Sequence, residues 1–149
     1  MTISCGETVT LLGFAYRYLP VPDCRMPAPR IADALVALAC APPSGGRLRI
    51  HCREGRGRTT TFMAMCDMTK NARQVRLDGI LRRRYLLAGA GTDLAADSSR
   101  VPVLRSIYDR ARHNDDGFRS TFTQWPAAHP HPTEDYPLMM LPPRRSGSK

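Results

Sequence analysis

The sequence predicts an α/β domain, and three observations carry that prediction. The stretch Arg47-Leu-Arg-Ile-His51 alternates with the period of two of a short strand, Leu48 and Ile50 against Arg47 and Arg49. A second stretch, Val9–Leu19, also reads as a strand. Between and beyond them, apolar residues recur at the three-to-four spacing of helices that bury one face. The expected architecture is a central sheet flanked by helices. At 149 residues the chain is one domain, large enough for a real core.

Taken in order, the first strand is ended by Pro20 and Pro22, which also stiffen the loop that follows. Pro29 suits the first position of a helix, and Ile31, Leu35, Val36 and Leu38 give that helix one apolar face. Pro42-Pro-Ser-Gly-Gly46 stops it and leads into the strand before Cys52. From Thr59 a largely buried helix is expected, apolar at Phe62, Met63, Met65, Cys66 and Met68. Val75, Leu77, Ile80, Leu81 and Tyr85 mark another helix, broken by Gly89-Ala-Gly91. It carries Arg82-Arg-Arg84, a run that reads as a solvated face, with one arginine turned to phosphate as the alternative. A last helix starts near Val101, with Leu104, Ile107, Tyr108 and Ala111 on one side. Trp125 reads as a core or docking residue. The division expected is a catalytic domain over 1–130 and a Pro-rich, disordered tail over 131–149.

Chemistry concentrates in Cys52-Arg-Glu-Gly-Arg-Gly-Arg-Thr59. A cysteine that closes a strand, five residues, and an arginine that opens a helix form a cradle for a phosphate. Backbone N–H groups turn inward, the helix N-terminus adds partial positive charge, and the Arg58 guanidinium can bind two oxygens at once. Gly55 and Gly57 allow the backbone conformations such a turn needs. The same field lowers the pKa of Cys52, so that a thiolate nucleophile can exist at neutral pH.

His51-Cys-x5-Arg-Thr59 resembles the signature of the cysteine-dependent (protein tyrosine phosphatase-like) phosphatases. More narrowly, the run from His51 to Asn71 is similar to the bacterial phosphatase-like phytases, as are Tyr18–Pro29 and Gln124–Pro130. The likeness runs from about Tyr16 to Pro130 and covers the C-terminal half of such a domain. Nothing here resembles the N-terminal half, so the fold is expected to be incomplete at that end. The resemblance implies a protein tyrosine phosphatase-like fold and a phosphomonoester hydrolase working through a cysteinyl-phosphate. In that scheme Cys52 attacks phosphorus, while Arg58 and the loop residues Arg53, Glu54, Gly55, Arg56 and Gly57 hold the substrate. Asp23 protonates the leaving oxygen, Thr59 hydrogen-bonds the sulfur, and His51 orients the nucleophile. Where the family often has Asp-His, this chain has Asp23-Cys24.

Arg53 and Arg56 add charge beside the phosphate being cleaved, which favours inositol polyphosphates as substrates. Phosphoinositide or phosphoprotein (tyrosine or dual-specificity) substrates are the alternative, and an inactive phosphate-binding fragment is the alternative of another class. The net charge of +9 suits an anionic partner, whether phosphate ester, nucleic acid or membrane surface. All but two of the 22 basic residues are arginine, a balance that also fits a GC-rich genome. The motif selects the phosphate ester, so no nucleic-acid partner is expected. The chemistry requires no metal and no cofactor. The five cysteines show no metal-ligand spacing and fit a reducing compartment. Without a visible signal peptide or a membrane-length apolar run, the chain as written reads as cytoplasmic, and as secreted if upstream sequence is missing.

Overall fold

In the computed structural model, residues 9–40, 47–88 and 92–125 are described. Four helices form the body: α1 (Pro29–Cys40), α2 (Gly57–Asn71), α3 (Leu77–Leu87) and α4 (Val101–Arg112). Helix α2 is the hub, packed against α1, α3 and α4.

The expected sheet is a correction: the described residues contain no strand. Residues 9–11 are helical, and the chain leaves that turn through Gly13 at φ 80°. Gly13 N–H donates to the Thr10 carbonyl at 2.9 Å and Phe14 N–H to the Val9 carbonyl at 3.2 Å, the paired bonds of a Schellman C-cap. Residues 47–52 run without regular structure, although Ile50 still packs against the core. The physical reason is that a strand is half of a pairing. Two short stretches with the right alternation gain no ladder bonds unless neighbours supply them, and few-stranded sheets are marginal in water. Of the two alternating apolar residues, only Ile50 turns inward, while Leu48 stays 47% exposed.

The helices fall where the apolar periodicity puts them. Helix α1 opens at Pro29 and buries Ile31, Leu35 and Val36. Helix α2 buries Phe62, Met65 and Met68 together with three threonines and Asp67. Leu77, Ile80 and Leu81 of α3 and Leu104, Ile107 and Tyr108 of α4 close the core from the other sides. Each such side chain, fully buried, is worth about 1.5–3 kcal/mol of transfer free energy. The Tyr108 hydroxyl, inside this core, donates to the Val75 carbonyl at 3.2 Å.

Two polar clamps fix the helices in register. Asp67, its side chain 1% exposed, accepts from Arg84 Nη2 at 2.7 Å and from Asn71 Nδ2 at 2.7 Å. Arg83 binds both oxygens of the same carboxylate. Burial alone pushes the Asp67 pKa up, but the bonds from Asn71, Arg83 and Arg84 outweigh it and hold the carboxyl below its ordinary value. Only Arg82 of the arginine run remains a simple surface residue, so the solvated-face reading holds for one of the three. In the second clamp, Arg110 Nη1 reaches Asp33 Oδ1 at 2.8 Å, and the same oxygen accepts the Phe122 amide at 2.8 Å. The Arg110 guanidinium also lies 5.5 Å from the Phe118 ring centre, docking residues 114–125 onto α1 and α4. Trp125 is buried, 8% exposed. The expected tail, 131–149, lies outside the described residues.

Candidate active site

The loop from Cys52 to Arg56 leads into α2, whose first turn begins at Gly57. No side chain caps this N-terminus and no acidic residue sits in its first turn. Its amides and its partial positive charge therefore stay available to an anion. Gly55 takes φ 71°, the left-handed conformation that an L side chain resists, and so turns the loop. Gly57 is needed for a different reason than the sequence implied. A Cβ there would lie 3.3 Å from Nη1 of Arg100, whose guanidinium rests against the glycine.

Arg100 is the residue that sequence reasoning missed. It is 9% exposed, pairs with Asp97 Oδ2 through Nε at 2.9 Å, and lies 3.4 Å from Thr61 Oγ1. A buried guanidinium thus backs the start of α2. The only sequence signal was the Asp97-x-x-Arg100 spacing just before α4, which reads equally as an ordinary surface pair.

Cys52 is half-buried at the mouth of the loop. Burial pushes its pKa up, but the Thr59 hydroxyl and the amides of Thr59, Glu54 and Arg56 more than offset this, lowering it from 9.0 to about 7. The Thr59 hydroxyl is buried and has no hydrogen-bond partner of regular geometry. An oxygen that cannot reach water, set beside a sulfur, gains its partner when the sulfur becomes a thiolate.

Asp23 arrives from the other side of the chain. It occupies the second position of a turn closed by Arg25 N–H to the Pro22 carbonyl at 3.3 Å. Cys24, at φ 55°, takes the third position, where a type II turn requires positive φ. Asp23 Oδ1 then accepts the Cys24 amide at 3.1 Å and pairs with Arg58 Nη2 at 3.1 Å. Arg58 Nη1 also donates to the Val21 carbonyl at 3.2 Å, tying the 20–25 loop to α2. The Asp23 side chain is 81% exposed, so the pair is one that an incoming anion can replace.

The structure therefore brings Cys52, Thr59, Arg58 and Asp23 to one mouth, with the amides of Glu54 and Arg56 turned to the sulfur. His51, Arg53 and the Arg56 side chain stand exposed around it, and no hydrogen bond or ion pair engages them among the described residues. No group of three or more His, Cys, Asp or Glu able to hold a metal occurs among the described residues. Nor is any described helix long and apolar enough to cross a membrane.

Several known proteins are similar to this chain in sequence. Residues 6–70 match the family model PTPlike_phytase, described as inositol hexakisphosphate. The chain is 36% identical over 133 residues to "Effector protein hopD2" of Pseudomonas syringae pv. tomato, across 81% of this chain and 28% of that protein. It thus spans little more than a quarter of that relative's length. It is 32% identical over 90 residues to "Uncharacterized protein AvrBs1.1" of Xanthomonas campestris pv. campestris, over 53% of this chain and 86% of that protein. The protein of the same name from Xanthomonas euvesicatoria matches to the same extent. The chain belongs to the family of the AvrBs1.1 proteins, and residues 6–70, less than half of it, match the protein tyrosine phosphatase-like phytase model.

Proposed function

We propose that the chain is a phosphomonoester hydrolase that works through a cysteinyl-phosphate, with inositol polyphosphates as its substrates. The observation that carries this reading is the Cys52 thiol, brought to about 7 by the loop that would hold the phosphate. A phosphate entering the loop exchanges Asp23 for its own oxygens at Arg58, and the loop amides bind the others. The Cys52 thiolate attacks phosphorus in line as the P–O bond to the alcohol breaks. Asp23, released from Arg58 and taking up a proton, gives that proton to the departing oxygen. Water then attacks the cysteinyl-phosphate and passes its proton to the Asp23 carboxylate. The Thr59 hydroxyl donates to the leaving sulfur, which restores the thiolate and frees inorganic phosphate.

Two observations favour a polyphosphorylated substrate. The matched family model is described by inositol hexakisphosphate. Arg53 and Arg56 flank the cradle as exposed cations that no carboxylate occupies among the described residues. The deciding experiment measures phosphate release from inositol hexakisphosphate and from a phosphotyrosine peptide side by side. Faster release from the inositol ester supports the reading. Release from the peptide alone moves the substrate to phosphoproteins, and release from neither removes the enzymatic reading.

A further inference from the structure

Beside the phosphate loop, between α2 and the C-terminal end of α3, lies a cavity of about 190 Å³. Gly55, Thr59 and Thr60 line it from the loop side, and Arg84, Met63 and Leu87 from the other. Thr59, whose hydroxyl serves the Cys52 sulfur, also stands on its wall, 8% exposed, so the cavity abuts the phosphate loop. Arg84 is the one charged group among the described residues that line it, and its side chain is 17% exposed.

The charge on Arg84 is not fully used. Its Nε and Nη2 both donate to Asp67 Oδ2, at 3.0 and 2.7 Å, while Nη1 has no partner among the described residues. Asp67 also serves Arg83 and Asn71. One carboxylate between two guanidiniums leaves an excess positive charge, held rigidly and partly out of water. Such a charge binds an anion more strongly than an exposed lysine would.

We propose that this cavity is a second anion subsite, in which Arg84 holds a phosphate of the substrate next to the one being cleaved. The idea rests on the phosphatase reading above and extends it. Gly55 and Thr59 belong to both the loop and the cavity wall, so a molecule with neighbouring phosphates can occupy both at once. Arg84 is then a substrate-binding residue that selects for polyphosphorylated molecules and plays no part in the bond-breaking step.

The matched control is Arg83, which shares Asp67 but does not line the cavity. In a Cys52→Ser background, binding of inositol hexakisphosphate and of inorganic phosphate is measured by calorimetry. Arg84→Met is expected to weaken inositol hexakisphosphate at least tenfold more than it weakens inorganic phosphate, and Arg83→Met to change the ratio less than twofold. Leu87, 67% exposed at the cavity rim, gives a test that leaves the Asp67 cluster intact. Leu87→Glu should weaken the hexakisphosphate severalfold and Leu87→Lys should strengthen it. Equal effects of Arg84→Met and Arg83→Met, or identical binding by the two Leu87 variants, would overturn the subsite while leaving the loop's own phosphate binding in place. Absence of binding by either ligand to any variant would overturn the phosphatase reading and the subsite with it.

Discussion

The two parts of this molecule, the four-helix body and the loops around the proposed site, are built on opposite terms. In the body, side chains from all four helices reach near-zero exposure, and Asp67 and Asp33 gather Arg83, Arg84 and Arg110 from neighbouring helices. Along 9–28 and 47–56, little is buried, and Leu11, Leu12, Phe14 and Tyr18 are each at least 65% exposed. The loops hold their shape through three positive-φ residues, Gly13, Cys24 and Gly55, and through the tie from Arg58 to Val21 and Asp23. Stability thus resides in the helices and the proposed chemistry in the loops, with α2 joining the two. Its first turn belongs to the site, and its last three turns belong to the core.

Substitutions on either side of that division should separate stability from turnover. The largest expected effect is on chemistry alone. Cys52→Ser should lower turnover by roughly 10⁴-fold or more, because an alcohol is a far poorer nucleophile at neutral pH, and should leave the melting temperature within a degree or so. Phosphate-release assays and thermal denaturation of the same sample check both halves of this statement.

The mirror-image change is Asp67→Ala, which strands Arg83 and Arg84 without their carboxylate. Removing one partner of a buried ion pair costs about 3–5 kcal/mol, read as a fall in denaturation midpoint. The same pairing makes stability depend on pH. Because the folded Asp67 pKa lies below its ordinary 3.8, its contribution is full above that value and is lost as pH falls through the lowered one.

Asp23→Asn should slow alkyl phosphate esters by about 10²-fold or more and aryl esters with good leaving groups much less, since only a poor leaving group needs the proton. Equal losses on both classes would identify another acid. A smaller effect is expected from replacing Arg53 and Arg56 together with Ala. Kcat/KM for inositol hexakisphosphate should fall by roughly ten- to a hundredfold relative to an aryl monophosphate, and added salt should narrow the wild-type preference in the same direction.

The division between body and loops also explains what the sequence made legible. Helix periodicity is local: Ile31, Leu35, Leu77, Ile80, Leu104 and Ile107 declare their faces within one segment, and all lie in the core. Strand formation is not local, and the alternation over 47–51 could state a facing but not a partner. The Cys52–Arg58 spacing was readable because the chemistry fixes residue types at short separations, whereas Asp23, 29 residues upstream of Cys52, was reached only through the family resemblance. Arg100 was not, because its approach to Gly57 depends on how the chain between α3 and α4 folds back. Arg84 was ambiguous for a related reason. An arginine run looks solvated until the carboxylate that collects it, Asp67 on another helix, is placed beside it.

If the loop, through Thr59 and its amides, makes Cys52 a thiolate at neutral pH, the pH dependence of Cys52 alkylation by iodoacetamide, followed by mass spectrometry of the modified peptide, has its midpoint near 7. In Thr59→Val the midpoint moves upward as the hydroxyl is lost. A midpoint at the ordinary 9.0, unmoved by that substitution, would contradict that role of the loop.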